Sequence, residues 1–87
     1  MSSKGLFIGS SSLDFISLIS NELEKNGKQR AIKQCVQAGG LACNASITFS
    51  YLGGQTKLLT CIGKSEIANI CRNDIEKYKV NLTDFAP

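Results

Sequence analysis

Two glycine pairs enclose one apolar segment, and this arrangement constrains the fold more than any other feature of the 87-residue sequence. Gly39-Gly40 and Gly53-Gly54 bracket residues 41–52, LACNASITFSYL, in which apolar residues recur at helical spacing on most sides. Glycine is typical of the points where a helix ends. A helix that is apolar on most sides packs against other elements instead of lying on the surface. The segment therefore predicts a helix packed against a sheet.

Segments with strand character lie on both sides of this helix. Leu6-Phe7-Ile8 is an apolar run too short for a helix, and residues 55–63, QTKLLTCIG, form a short run with β-branched residues. A second helix is predicted over residues 66–79 with Ser65 as its N-cap, and residues 80–87 are expected to lead towards another strand. The apolar face of the second helix is predicted to comprise Ile67, Ile70, Cys71, Ile75 and Tyr78.

A different pattern separates the first strand from the first helix. Residues 13–20 and residues 29–36 read as two extended segments, and Asn26-Gly27 between them favours a chain reversal because it supplies positive φ angles. Together they predict a β-hairpin flap over about residues 13–38.

The alternation of strands and helices sets the fold class. Such an order predicts a parallel sheet with right-handed crossovers, and hence an α/β fold. Only two core strands are predicted, whereas a parallel sheet is normally covered on both faces and paired along its edges. We therefore expect an incomplete parallel sheet with flanking helices and a β-hairpin, whose missing strands would follow residue 87.

Composition excludes several classes of function. The net charge is +3 with scattered cations, which argues against a nucleic-acid partner. The sequence has no histidine, and its four cysteines contain no CxxC pair, so no metal site is expected. An even cysteine count also allows two disulfides, but without a recognisable secretory leader we interpret the cysteines as reduced, buried side chains of a cytoplasmic protein. No apolar run approaches the ~18–20 residues that span a membrane.

Candidate ligand-binding residues cluster where the predicted strands end. Asp14 follows the first strand, Gly39-Gly40 opens the first helix, and Asn44 lies in that helix's first turn, where a buried amide would need a partner. A carboxylate, an amide and free N–H groups suit a polyhydroxylated ligand, whose hydroxyls both donate and accept. Taken singly, Asp14 is also typical of a turn aspartate and the glycine pair of a loop. Asp74 and Asp84 are interpreted as solvated helix and turn residues.

The order and spacing of these features resemble the N-terminal third of the ribokinase-like (PfkB) carbohydrate kinase family. That family begins with a strand and an aspartate, followed by a β-flap lid, a GG-x-x-x-N-x-A helix ending in Leu-Gly, and a strand ending in Gly. The corresponding stretches are GLFIGSSSLDF at residues 5–15, GGLACNA at residues 39–45, Leu52-Gly53, and TCIG at residues 60–63. The resemblance spans nearly the whole chain.

The resemblance implies an ATP-dependent phosphoryl transfer to a sugar hydroxyl, with ATP and Mg²⁺ as cofactors of the complete protein. It implies that Asp14, Gly39, Gly40 and Asn44 form the substrate-binding site and that the flap closes over the substrate, which excludes water. The substrate would be a sugar or a nucleoside, and exposed lid strands imply a homodimer through the lid. Residues 1–87 would be the substrate-binding part of the domain, lacking its C-terminal nucleotide-binding and catalytic part.

The family's C-terminal Gly-rich segment, whose Asp acts as the base, has no counterpart in residues 1–87. No catalytic residue is therefore assigned, and this chain alone is expected to bind no cofactor and to be inactive. The pattern also departs from the family: Leu41 replaces the Lys of ribose kinases, and Ser65 and Ala68 stand where an acidic residue and a Gly are usual. The alternative is a truncated or degenerate, non-enzymatic α/β binding or interaction module, and a third interpretation is a small α/β domain that shares the pattern by chance.

Overall fold

A parallel three-stranded sheet lies at the centre of the structure, a computed structural model that describes residues 3–20, 22–23 and 25–87. The elements in chain order are β1 (Lys4–Ile8), β2 (Ser12–Leu18), β3 (Lys33–Gly39), α1 (Leu41–Tyr51), β4 (Gln55–Thr60), α2 (Glu66–Glu76) and β5 (Asn81–Asp84). Strands β1, β4 and β5 are parallel in that spatial order, and β2 and β3 form a separate antiparallel hairpin. The predicted α/β fold with flanking helices and a hairpin is confirmed.

The core lies on one face of the sheet. Alternate residues of β4 point to that face, and Leu58 at its centre is fully buried. The rings of Phe7 in β1 and Phe49 in α1 lie 5.6 Å apart, which fixes α1 over the β1–β4 pair. The buried apolar cluster comprises Ala38, Cys43, Leu58, Cys71, Ile75 and Val80.

Glycine and serine set the helix ends as predicted. A Cβ on Gly54 would overlap the Phe49 ring, so only glycine lets the chain turn from α1 into β4 this tightly. The hydroxyl of Ser65 accepts a hydrogen bond from the Ala68 N–H at 3.0 Å, which caps α2 as expected.

The strand boundaries differ from the sequence prediction in two places. The segment after Val80 is itself a third parallel strand, β5, because Leu82 pairs with Leu58 in the next position of the sheet. The second hairpin strand runs over Lys33–Gly39 instead of residues 29–36, and residues 19–32 connect β2 and β3. The reason is the register: Gly39 pairs with Ser12 at one end and Lys33 with Leu18 at the other. Asn26 has the expected positive φ of 62°, whereas Asn21 and Glu24 within the predicted flap lie outside the described residues.

The predicted apolar face of α2 was partly wrong. The buried side of α2 is formed by Ala68, Cys71 and Ile75, while Ile67 and Ile70 are 57% and 51% exposed. Helix α2 packs only against β5, at the edge of the sheet, and against the hairpin strands β2 and β3. Its buried stripe is therefore narrower than the apolar face that its sequence offers.

The cysteines divide into two environments. All four are free thiols, as expected, but only Cys43 and Cys71 are buried, whereas Cys35 and Cys61 are exposed. The interpretation of every cysteine as a buried side chain is therefore wrong for two of them. Within the described part of the chain, no helix has the length and apolar character needed to cross a membrane.

The burial of Leu58 predicts how much stability is lost when its side chain is truncated. Leu58→Ala should lower the free energy of unfolding by about 2–5 kcal/mol, because a fully buried leucine leaves a void when truncated. A domain of this size has a stability of only roughly 4–13 kcal/mol, so the change should be large in urea denaturation followed by circular dichroism. Leu52→Ala, at a side chain that is 78% exposed, is the matched control and should change stability by less than about 0.5 kcal/mol. Equal losses of unfolding free energy for both variants would contradict a core that is centred on Leu58 on one face of the sheet.

Candidate functional site

The carboxyl ends of the parallel strands meet at one edge of the sheet, which is where ligands bind in open α/β folds. β1 ends at Ile8, β4 at Thr60 and β5 at Asp84. Residues 9–11 connect β1 to the hairpin at this edge, and Gly40 alone connects the hairpin to α1. The N-terminus of α1 lies here as well, since the Cys43 N–H donates to the Ser10 carbonyl at 3.3 Å.

Asp14 is held against the glycine pair. A Cβ on Gly39 would overlap the Asp14 carboxylate, so this glycine allows the carboxylate to lie directly on the backbone of β3. The Ser12 hydroxyl donates to Asp14 Oδ1 at 3.0 Å, which fixes the carboxylate from the same strand. Asp14 is half-buried, and its remaining lone pairs are available to hydroxyl donors.

Gly40 forms the corner between the hairpin and α1. Its φ of 97° is in the left-handed region, and a Cβ there would lie 2.7 Å from the Ser10 carbonyl oxygen. Both facts require glycine, and they explain why a Gly-Gly pair opens this helix. Gly40 is also the N-cap and offers no side-chain acceptor, which leaves the first turn of α1 without a side-chain cap.

Asn44 is on the exposed side of α1, so the expectation of a buried amide is wrong. The buried side of the helix is formed by Cys43 and Ser46, which turns Asn44 towards solvent. Its backbone N–H donates to the Gly40 carbonyl at 2.8 Å, so the residue lies one helical turn from the glycine pair. The structure therefore joins Asp14 directly to Gly39 and places Asn44 on the adjoining helix turn, with its amide open to solvent.

Three side chains that the sequence analysis did not select as site residues support this corner from α2 and its C-terminal end. Asp74 Oδ2 in α2 accepts the Ala38 N–H at 2.6 Å, and Lys77 lies 2.8 Å from the other carboxylate oxygen. Burial would raise the pKa of Asp74, but these contacts outweigh it and hold the pKa below its usual value. The Cys71 thiol donates to the Ser12 carbonyl at 3.3 Å, and its pKa is raised by burial. Helix α2 thus anchors both hairpin strands next to the site.

Asp84 organises the loop that follows β4. Its carboxylate accepts the N–H groups of Ile62, Ala86 and Gly63 at 2.9–3.0 Å and pairs with the Arg72 guanidinium at 2.8 Å. The Ile62 hydrogen bond is the largest cause of a pKa well below the ordinary value, and the other donors add to it. Arg72 also donates to the Gly63 carbonyl.

The interpretation of Asp74 and Asp84 as solvated residues is therefore wrong. Asp74 accepts a backbone N–H from 36 positions away, and Asp84 accepts two from 21 and 22 positions away besides the nearby Ala86 N–H. No local pattern reveals the distant pairs. A contact between residues far apart in the sequence also holds the loop after β1, because the Thr60 hydroxyl donates to the Ser11 hydroxyl at 2.9 Å. In the sequence, only the serine triplet at residues 10–12 indicated that hydroxyl groups hold this loop.

A large cavity lies at the opposite end of the sheet. It has a volume of about 820 Å³ and is lined near the start of the strands by Lys4, Leu6, Lys57, Lys79 and Asn81. Among the described residues no carboxylate lines it, and it is remote from the strand ends where Asp14 and the α1 N-terminus meet. We therefore place the candidate site at the carboxyl edge and treat the cavity separately.

The described residues do not include a cluster that could hold a metal ion. Residues 3–20, 22–23 and 25–87 contain no group of three or more His, Cys, Asp or Glu side chains that could hold a cation. Asp84 is saturated by its four donors, and Asp74 binds Ala38 and Lys77 on its two oxygens, so both carboxylates are engaged within the fold. What the corner offers is a carboxylate, an exposed amide and a helix N-terminus, which together suit hydroxyl groups.

Comparison with known proteins identifies a family and several structures that this chain resembles. Residues 3–85 match the sequence model of the pfkB family carbohydrate kinases. Among curated proteins, no sequence matches the chain significantly. Similar solved structures include a protein from Agrobacterium tumefaciens provisionally assigned as a ribokinase (TM-score 0.88, 20% identity, 97% of this chain and 28% of that one). A carbohydrate kinase from the same organism has a TM-score of 0.77 and 21% identity, and the match covers 100% of this chain and 28% of that one. The ribokinase from Thermotoga maritima has a TM-score of 0.70 and 21% identity, and the match covers 99% of this chain and 29% of that one. At these identities the likeness shows the fold, and the chain spans less than a third of the length of each structure.

Two glycines with nearly the same φ value test the Gly40 corner. Gly40 and Gly53 have φ values of 97° and 98°, but only Gly40 faces a close neighbour, since a Cβ on Gly53 meets nothing within 4 Å. Gly53→Ala should therefore cost about 1–2 kcal/mol of unfolding free energy from φ alone. Gly40→Ala should cost at least about 1 kcal/mol more, because its Cβ also collides with Ser10. Equal costs in urea denaturation would refute the close approach.

Asp84 predicts a specific dependence of stability on pH. Because its pKa is lowered in the folded chain, its ionisation stabilises the fold above the ordinary aspartate pKa of about 3.9, and this contribution is lost as the pH falls below that value. Asp84→Asn should therefore be less stable at neutral pH, and the difference from the unmodified chain should shrink between about pH 5 and pH 2. Urea midpoints measured across this range provide the test. A constant difference would mean that the Asp84 charge is not linked to folding.

Proposed function

The chain belongs to the pfkB family of carbohydrate kinases, and from this premise we propose that residues 1–87 form the sugar-binding wall and the lid of such a kinase. The complete enzyme would transfer the γ-phosphoryl group of ATP to a hydroxyl group of a sugar or nucleoside. The observation that carries the proposal is the Asp14 carboxylate lying on the backbone of Gly39, beside the N-terminus of α1.

The proposed contacts follow from the donors and acceptors at this corner. The Asp14 carboxylate accepts hydrogen bonds from sugar hydroxyls with the lone pairs that Ser12 does not use. The Asn44 amide donates to one hydroxyl and accepts from another, and it is exposed for this role. Gly39 and Gly40 allow this corner to form, because a Cβ at these positions would collide with Asp14 and Ser10. Charged hydrogen bonds of this kind contribute about 1.5–3 kcal/mol each.

The hairpin β2–β3 is the proposed lid. It carries Asp14 on one strand and leads directly into Gly40 from the other, so its movement and the sugar contacts are mechanically linked. Closure would exclude water and favour transfer to the sugar over hydrolysis of ATP. Phe15 and Leu18 on this hairpin are 69% and 57% exposed, and a two-stranded sheet is only marginally stable alone. A homodimer through the lid, which would cover these side chains, is part of the proposal.

The nucleotide-binding and catalytic groups are assigned to polypeptide outside residues 1–87. ATP and Mg²⁺ supply the phosphoryl group and neutralise its charge when they are bound to the complete kinase. The residues described here would bind and orient the acceptor hydroxyl and exclude water, and none of them is assigned as the base. We expect the kinase to be cytoplasmic, since free thiols fit a reducing compartment.

Sugar binding by this chain tests the proposal directly. A panel of monosaccharides and nucleosides is titrated by ligand-detected NMR, and at least one of them should bind. Asp14→Asn should weaken that binding about tenfold or more, because it removes a charged acceptor. Glu76→Gln, an exposed acidic residue at the end of α2, is the control and should leave the affinity unchanged.

Two results would contradict the proposal. The first is a chain that is folded by circular dichroism and binds no member of the panel, as expected for a non-enzymatic interaction module. The second is binding that Asp14→Asn leaves unchanged. A coupled assay of ADP release should detect no sugar-dependent turnover by the 87-residue chain alone, and turnover would show that catalytic groups lie within it.

A further inference from the structure

The cavity of about 820 Å³ at the amino ends of the strands shares no residue with the candidate sugar site. Its wall includes the first residue of each parallel strand, namely Lys4, Gln55 and Asn81. The turn from α1 into β4, at Gly53 and Gly54, belongs to the same wall. Pockets for small organic molecules commonly have volumes of about 300–1,000 Å³. The cavity is therefore large enough for an organic ligand.

The charged groups on the cavity wall are all positive. Lys4, Lys57 and Lys79 line it, whereas no Asp or Glu among the described residues does so. None of these lysines takes part in an ion pair within the described part of the chain. Cations of one sign around a concave site concentrate their field there and attract an anion. A phosphate monoester, with a charge of about −1.5 to −2 at pH 7, meets this requirement.

Lys79 has a backbone conformation that its residue type does not favour. Its φ of 63° is in the left-handed region, where glycine is the usual residue after a helix. The other described non-glycine residue with a positive φ is Asn26, a residue type that tolerates this conformation. The Lys79 N–H donates to the Glu76 carbonyl at 3.0 Å, and the Ser50 hydroxyl donates to the Tyr78 carbonyl at 2.5 Å. A lysine where glycine would be unstrained indicates a role for its side chain, and this side chain lines the cavity.

Neutral groups share the wall with the lysines. Gln55 and Asn81 carry amides, which both donate and accept hydrogen bonds and so suit hydroxyl groups. Leu6 adds an apolar side chain that is 60% exposed. Thr56 also belongs to the wall, and its buried hydroxyl has no hydrogen-bond partner among the described residues. These groups favour an anion with a hydroxyl-bearing carbon body over an inorganic ion.

We propose that this cavity is a binding site for a phosphorylated, polyhydroxylated small molecule of the sugar phosphate class. Lys4, Lys57 and Lys79 bind its phosphate group, and the amides and the apolar side chain contact its carbon body. The site is at the opposite end of the sheet from the candidate sugar site, and the inference does not depend on the proposed function.

Titration calorimetry on the 87-residue chain tests the proposal. The probes are a hexose monophosphate, a pentose monophosphate, the two free sugars and inorganic phosphate. At least one sugar phosphate should bind about tenfold more tightly than inorganic phosphate and than its own free sugar, because only the ester offers both the charge and the hydroxyl groups.

Lys79→Gly separates binding from stability. It should weaken binding of the sugar phosphate about tenfold, because one charged contact is lost. Its urea midpoint should stay the same or rise, because glycine is unstrained at this φ. Lys57→Gln should weaken binding to a similar extent. Lys64→Gln, in the exposed loop after β4, is the matched control and should change the affinity less than twofold.

Four results would overturn the proposal. They are a folded chain that binds no sugar phosphate, equal affinity for inorganic phosphate, an affinity that neither Lys79→Gly nor Lys57→Gln changes, and an equal loss in Lys64→Gln, which would indicate general charge attraction. Binding that Asp14→Asn abolishes would also do so, because it would place the ligand at the sugar corner. Circular dichroism of each variant establishes that it is folded.

Discussion

The close approach of the Gly39-Gly40 backbone to the segment after β1 is the constraint on which the rest of the structure depends. Gly39 admits the Asp14 carboxylate and Gly40 turns the chain against the Ser10 carbonyl, so two strands and a helix meet without intervening side chains. This contact fixes where α1 begins, and α1 in turn covers β1 and β4 through Phe49 and Cys43. A side chain at position 40 would collide with the Ser10 backbone, and one at position 39 would displace the Asp14 carboxylate, so either change would disturb the corner that carries the candidate site.

Three aspartates near the carboxyl edge have different roles, and their hydrogen-bond partners distinguish them. Asp84 and Asp74 receive backbone N–H groups and a cationic side chain each, which lowers their pKa values and commits them to structure. Asp14 receives only the Ser12 hydroxyl among the described residues. An ionised carboxylate has about four acceptor sites, so Asp84 has none left, Asp74 keeps some, and Asp14 keeps the most for a ligand.

Local features of the sequence were sufficient for the elements and the glycine corner, and insufficient for what depends on distant partners. The glycine pairs, the Ser65 cap and the apolar periodicity act within a few residues, so they predicted both helices and the α/β order. The shift of the second hairpin strand depends on its register with Ser12–Leu18, and the role of Asp84 depends on N–H groups on another loop. The exposure of Asn44 depends on which side of α1 faces Leu58, and the apolar composition of the helix conceals that side.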